Sequence, residues 1–133
     1  MTNAEKVNGF LSKAGVFFFL TSEDGQPKGR PFGFHMMEGD RIYFGAGTFK
    51  DCFKQLQNNP KVEVIALSGD QFLRYSGTAT VVKDDALLDK VRGIMPEIME
   101  AYDENGWEFG LFYLEDGHAE IRGMMELIEE FDV

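Results

Sequence analysis

Three side chains of this 133-residue chain have the types that a phosphate site requires: Arg30, Thr48 and Lys50. Guanidinium, ammonium and hydroxyl groups donate hydrogen bonds to phosphate oxygens, and the free amides at a helix start add to them. Thr48 is predicted to be the N-cap of a helix over residues 49–58. A turn at residues 39–40 joins a strand over residues 29–38 to one over 41–45, which should bring Gly45 and Thr48 close to Arg30. These groups together predict a site for a phosphate monoester.

Other residues near this predicted site suggest further chemistry. The small residues Gly45, Ala46 and Gly47 would let a planar ligand approach the backbone amides. His35 is a candidate proton donor, and the alternative is an exposed strand histidine. Cys52, one turn into the predicted helix, is interpreted as a small buried apolar residue rather than a reactive thiol. No metal site is predicted, because His35 and the other histidine are far apart in the sequence without an acidic pair at ligand spacing.

Charge and composition exclude several classes of partner. The net charge is −10, and hydrophobic residues make up 44% of the chain, as in an ordinary globular domain. Ten of the thirteen basic residues precede Asp84, whereas fifteen of the 23 acidic residues lie from Asp84 onward. We therefore expect no binding to nucleic acid or anionic membranes, and any bound anion should lie in the first two thirds of the chain. With one cysteine, no apolar run near the ~18–20 residues of a membrane span and no secretory signal, a reduced, cytoplasmic protein is expected.

The pattern of elements predicts one domain over residues 1–133, mainly β with covering helices. Helices are expected from a capping box at Thr2 to about residue 14, over 49–58, and from the N-cap Asp84 to about 102 with a break at Pro96. Strands are expected over residues 16–21, 29–38, 41–45, 61–68 and 72–82, and over 109–115 and 118–122, which are read as a hairpin through residues 116–117. A last amphipathic segment covers residues 124–131. Short connections imply antiparallel pairing, and closing the sheet into a barrel would remove exposed edges.

The order of these motifs resembles a known family. The chain resembles the pyridoxamine 5′-phosphate oxidase-like proteins in a series of motifs. These are Gly29-Arg30-Pro31-Phe32, a strand ending in Gly45, Thr48-x-Lys50, the stretch of residues 55–62 and a strand centred on residues 77–79. Proteins of this family are FMN-binding split β-barrels, and the chain is most similar to their general-stress-like or nitroimidazole-reductase-like branch.

The resemblance implies a homodimer that binds two FMN molecules at the subunit interface. By matching positions, Arg30, Thr48 and Lys50 would hold the phosphate. The isoalloxazine would be lined by Pro31, Phe32 and the backbone of Phe44, Gly45, Ala46 and Gly47, with Phe72 and Trp107 as candidate contacts from the partner subunit. The region that recognises the vitamin in the true oxidase is matched here by residues 119–123, which are flanked by acidic residues, so vitamin B6 oxidation is not expected.

The leading functional hypothesis is an FMN-dependent oxidoreductase. It would move reducing equivalents between a nicotinamide or other donor and a small organic acceptor, and the protein would supply orientation and electrostatics. Two alternatives remain: a flavin-binding module or electron carrier without its own substrate turnover, and a relative that binds haem or a deazaflavin.

Overall fold

The computed structural model of residues 1–133 contains four helices and eight strands. They are α1 (Asn3–Ala14), β1 (Phe17–Glu23), β2 (Gln26–Phe32), β3 (Met36–Glu38), β4 (Arg41–Gly47), α2 (Asp51–Asn58), β5 (Lys61–Ser68), β6 (Gln71–Val82), α3 (Asp85–Ile94), α4 (Pro96–Asn105), β7 (Phe109–Arg122) and β8 (Leu127–Asp132). The capping box that opens α1 is confirmed: the Glu5 amide donates to the Thr2 hydroxyl, and the Thr2 amide donates to the Glu5 carboxylate. None of the four helices combines the length and apolar character needed to cross a bilayer.

The strands form one antiparallel sheet that curls into a barrel. Its order is β2-β1-β5-β6-β7-β4-β3, and β8 adds to β7. Three strands separate β1 from β4 along this path, yet the rings of Phe17 on β1 and Phe44 on β4 lie 5.7 Å apart. The sheet must therefore bend around a shared core, while β2 and β3 at its two ends do not pair with each other. The predicted antiparallel split β-barrel is confirmed.

The predicted strand over residues 29–38 is wrong in its extent and its partner. The chain leaves β2 after Phe32 and enters β3 only at Met36. Only β3 pairs with β4, whereas β2 pairs with β1, so that Arg30 lies opposite Phe19. Pro31, which has no backbone N–H, is tolerated because β2 is an edge strand. Arg30 therefore reaches the end of β4 through closure of the barrel and not through a hairpin.

The predicted hairpin at residues 116–117 is also wrong, because β7 runs unbroken from Phe109 to Arg122. Both halves of β7 pair with the long strand β6, and the register shifts between Ser76 and Thr78. Asp116 takes a φ of 52°, and the chain forms a bulge in which Gly77 faces two residues. The Asp116-Gly117 pair, which favours a tight turn, forms part of a bulge here. The last segment forms the strand β8.

Two helices pack outside the barrel and form a second, smaller core. Asp84 accepts hydrogen bonds from the amides of Ala86 and Leu87, and Pro96 separates α3 from α4, both as predicted. This core has eight buried residues: Met36, Tyr43, Leu87, Val91, Met99, Phe109, Leu111 and Tyr113. The helix pair is thereby fixed beside the ends of β4 and β7.

Candidate functional site

A large cleft with a volume of about 1050 Å³ lies between β2, β4 and the start of α2. Residues 28–35 form one side, residues 45–47 form the floor, and the first turns of α2 close one end. The helix pair α3–α4 supplies the opposite wall through Ile94, Met95, Ile98 and Tyr102. The cleft therefore has a polar end at α2 and an apolar wall at α3–α4.

Three cations line this cleft: Lys28, Arg30 and Lys50. Each is more than 4.0 Å from any carboxylate, although the chain carries 23 acidic residues. Two acidic residues, Glu23 and Asp51, also line the cleft. Basic residues elsewhere, such as Lys13, Lys54 and Lys83, also lack a carboxylate within 4.0 Å, so the cleft is distinguished by bringing three cations together against two carboxylates.

The start of α2 adds backbone donors to the cations. Lys50 is the N-cap and makes no side-chain capping bond, so the predicted cap at Thr48 is wrong by two residues. The carbonyl of Lys50 accepts from the amides of Phe53 and Lys54, whereas the amides of Asp51 and Cys52 have no acceptor in the chain. Free amides at a helix start attract anions, and here they border the same cleft as the three cations.

A network of neutral oxygen atoms fixes the Arg30 guanidinium. One of its nitrogens, Nη1, donates to the carbonyl of Phe19 at 3.1 Å and to the Thr21 hydroxyl at 2.9 Å. The other, Nη2, donates to Oε1 of Gln55 at 2.7 Å. The amide nitrogen of Gln55 in turn donates to the Glu23 carboxylate at 2.7 Å. Arg30 is therefore held in place without a direct carboxylate partner.

His35 borders the cleft and is held by α1. Its Nδ1 lies 2.7 Å from the amide oxygen of Asn8, and its Nε2 lies 3.5 Å from the Ser12 hydroxyl. Burial lowers the pKa of His35, so the ring is neutral at pH 7. An amide oxygen can only accept, which places the single proton on Nδ1 and leaves Nε2 as an acceptor. In this tautomer Nε2 would accept a proton rather than donate one, and the role of His35 in proton transfer stays a prediction.

The floor of the cleft differs from the expectation that small residues expose the backbone. A Cβ on Gly45 would lie 2.3 Å from the ring of Phe109, and one on Gly47 would lie 2.5 Å from the ring of Phe49. These glycines are required by aromatic rings of the chain itself. Gly45, Ala46 and Gly47 line the cleft, whereas the Phe44 side chain is fully buried in the barrel core.

The remaining predicted residues lie elsewhere. Thr48 lines a second cavity and donates its backbone N–H to the Glu108 carbonyl. Phe72 lies on β6 with the guanidinium of Arg74 5.7 Å from its ring centroid. The ring of Trp107 lies 5.0 Å from the exposed ring of Phe49, tilted by 38°, outside the cleft. The assignments of Phe72 and Trp107 to a partner subunit stay predictions.

Sequence reasoning missed several residues of the cleft. Lys28 could have been found, because strand alternation places it on the same side of β2 as Arg30. Gln55 also carries a signal, since it is a polar residue among the apolar positions Cys52 and Leu56 of α2. The α3–α4 wall had no local signal, because its position follows only from tertiary packing. Cys52 is buried as expected, and burial raises the pKa of its thiol.

Comparisons with known proteins agree with this architecture. The family model of pyridoxamine 5′-phosphate oxidase matches residues 4–117. A NimC/NimA family protein from Clostridium acetobutylicum is 27% identical, with 100% of this chain and 95% of that chain covered and a TM-score of 0.89. No curated protein shows significant similarity.

Two further solved structures share the fold at lower identity. A pyridoxamine 5′-phosphate oxidase-related, FMN binding protein from Nostoc punctiforme is 15% identical over 100% of this chain and 97% of that chain, with a TM-score of 0.67. A heme binding protein from Mycobacterium smegmatis is 12% identical over 99% of this chain and 58% of that chain, with a TM-score of 0.72. The match to the family model covers most of the sequence, and the chain therefore belongs to the pyridoxamine 5′-phosphate oxidase family.

Proposed function

We propose that this protein binds FMN in the cleft and acts as a homodimeric, FMN-dependent oxidoreductase on a small organic acceptor. The observation that carries the proposal is that Lys28, Arg30 and Lys50, none paired with a carboxylate, line the same cleft as the start of α2 with its free amides. A phosphate dianion requires this combination of cations and donors. Fold relatives named for FMN and for FAD support a flavin as the ligand.

The rest of the cleft fits the ring system of a flavin. Pro31 and Phe32 border the cleft on the β2 side, and Ile98 and Tyr102 border it on the helix side. Apolar side chains on two sides exclude water from a planar ring, while the cationic end fixes its orientation through the phosphate. When bound, FMN supplies the capacity to accept and donate a hydride. Positive charge in the cleft favours a reduced, anionic ring.

The C-terminal strands support an acceptor other than a vitamin phosphate. Arg122 pairs with Glu120 at 3.1 Å, and His118 lies within 3 Å of the carboxylates of Glu130 and Asp132. The cations of this region are therefore already neutralised by carboxylates of the chain. A second phosphate would have to compete with these pairs, which favours a neutral or apolar acceptor.

The outer face of the sheet supports the dimer. Phe18 is 45% exposed and lies opposite Pro31 on β2 and Ile65 on β5, and Leu67 is 61% exposed and lies opposite Phe72. These outward apolar residues are contiguous across four strands, and Pro31 links them to the cleft. A second copy of the chain on this face would bury them and would close the cleft from the open side.

The test is the identity and the affinity of the ligand. The purified protein should absorb as oxidised flavin, and mass spectrometry of the released ligand should give FMN. Lys50→Ala should weaken FMN binding in calorimetry about tenfold, because a charged hydrogen bond is removed. Lys54→Ala is the matched control, since Lys54 lies on the same helix outside the cleft.

Two results would contradict the proposal. A haem spectrum, or colourless protein that does not bind added FMN, would exclude the flavin site. Equal losses of affinity in the two lysine variants would mean that Lys50 acts only through the overall charge. Turnover of NADH or NADPH with an added quinone or nitro compound separates an oxidoreductase from a flavin carrier.

A further inference from the structure

We infer that Gln55 is a positioning residue that holds the Arg30 guanidinium in place, without a direct carboxylate partner, for a phosphate-bearing ligand. The inference rests on the proposed function and adds a residue to which the sequence analysis assigned no role in the site. Gln55 is 7% exposed and Thr21 is 4% exposed, and apart from the tyrosines and Cys52 they are the only buried polar side chains of the chain. Both contact Arg30.

The amide orientation of Gln55 follows from its neighbours. Its Oε1 accepts from Nη2 of Arg30 at 2.7 Å and from the Thr21 hydroxyl at 2.6 Å, while its Nε2 donates to Glu23 at 2.7 Å. The reverse orientation would set an NH2 group against the guanidinium and the amide oxygen against a carboxylate. The network therefore has one favourable arrangement, and Gln55 presents an acceptor to Arg30 in it.

Gln55 also separates two opposite charges. The Glu23 carboxylate is bound to the far side of the amide, so that Gln55 stands between it and the Arg30 guanidinium. A direct ion pair would hold the guanidinium equally well, but it would cancel the charge that a phosphate needs. Neutral acceptors at Phe19, Thr21 and Gln55 order the guanidinium and leave its charge available to the cleft.

The decisive substitution is Gln55→Glu, which keeps the shape of the side chain and sets a carboxylate against Arg30. FMN and riboflavin are titrated into the apoprotein, because the two ligands share the ring and only FMN carries a phosphate. We expect the FMN affinity to fall about tenfold or more, which is the scale of one charged hydrogen bond. The riboflavin affinity should stay within about twofold. Gln57→Glu is the matched control: it adds the same charge to the exposed side of α2, and it should change neither affinity.

A second variant keeps the inference testable if Gln55→Glu does not fold. Thr21→Val removes the hydroxyl that accepts from Arg30 and donates to Gln55, with almost no change in volume. It should weaken FMN severalfold and leave riboflavin unchanged. Undiminished FMN affinity in a folded variant, or equal losses for both ligands, would overturn the role of Gln55 and leave the flavin site standing. Failure of the wild-type chain to bind FMN would overturn the proposed function itself, and the inference with it.

Discussion

At the scale of single residues, the site depends on the groups that hold Arg30 in place. Arg74, Arg92 and Arg122 all have a carboxylate within 4.0 Å, whereas Arg30 is held by carbonyl, hydroxyl and amide oxygens. An arginine on a strand is usually interpreted as a solvated surface residue. What distinguishes Arg30 is the chemistry of its acceptors, and that chemistry becomes visible only when the distant residue Gln55 is brought next to it.

The pKa values of the two histidines should be shifted in opposite directions from the usual value of 6.5. Burial lowers the pKa of His35 below its usual value of 6.5, whereas hydrogen bonds to Asp132 and Glu130 raise the pKa of His118 above 6.5. Titration of the imidazole signals by NMR in the folded protein measures both values in one sample. A pKa for His35 above that of His118 would contradict the hydrogen-bond environments described for the two rings.

These shifts have opposite effects on stability. The unfolded chain takes up a proton at His35 near pH 6.5 before the folded chain does, so His35 lowers stability as the pH falls below 6.5. His118 contributes stability that is fully present below pH 6.5 and is lost as the pH rises through its raised folded value. The replacement His118→Gln should therefore cost stability mainly on the acid side.

At the scale of elements, the most informative feature is the bulge that β6 and β7 share. Gly77 faces Asp116 and Gly117 across the register shift, and the backbones approach closely there. The bulge allows one long strand to follow the curvature of the barrel, where a hairpin would have ended it. Strand β7 therefore contributes side chains both to the barrel core and to the second core under α3 and α4.

Gly77→Ala should destabilise the protein by about 1–3 kcal/mol, because a Cβ at this position would lie 2.8 Å from the backbone oxygen of Glu115. Gly93→Ala is the matched control in α3, where no atom lies within 4 Å of the added group and alanine favours the helix by about 0.5–1 kcal/mol. Urea denaturation of both variants measures the difference in unfolding free energy. Equal stability of the two would mean that the strands do not approach as described.

Local patterns predicted the elements better than their partners. The capping box at Thr2, the cap at Asp84 and the break at Pro96 each depend on neighbouring residues, and all three are confirmed. The Asp116-Gly117 pair suits a turn and a bulge alike, and only the distant strand β6 decides between them. Arg30 and Lys50, two of the three cleft cations, were predicted from residue type, whereas Lys28 was missed. The α3–α4 wall and the Gln55 network arise from contacts between segments far apart in the chain.

At the scale of the whole molecule, the acidic excess and the apolar outer face act together. A net charge of −10 keeps the chain in solution and repels a second copy, so an interface must gain enough from apolar burial to overcome this repulsion. The outer face at Phe18, Ile65, Leu67 and Phe72 is the surface that can supply that burial. Association through this face should therefore strengthen with added salt.

Leu67→Glu should convert the proposed dimer into a monomer and weaken FMN binding, because it adds a charge to the centre of this face. Size-exclusion chromatography with light scattering measures the mass, and calorimetry measures the affinity. Asn58→Glu adds the same charge on α2 and should leave the dimer intact. A wild-type chain that is monomeric while fully loaded with FMN would contradict the interface.

The two ends of the cleft are attached to different hydrophobic cores. The cationic end is anchored to the 22-residue barrel core through β1 and α2, whereas the helical wall rests on the eight-residue core beside it. Ile94 is 55% exposed and Ile98 is 50% exposed, so substitutions there should reshape that wall with little loss of stability in the barrel. Related chains can therefore vary the helical wall, and with it the acceptor that the cleft would admit, while the cationic end proposed to bind the phosphate stays unchanged.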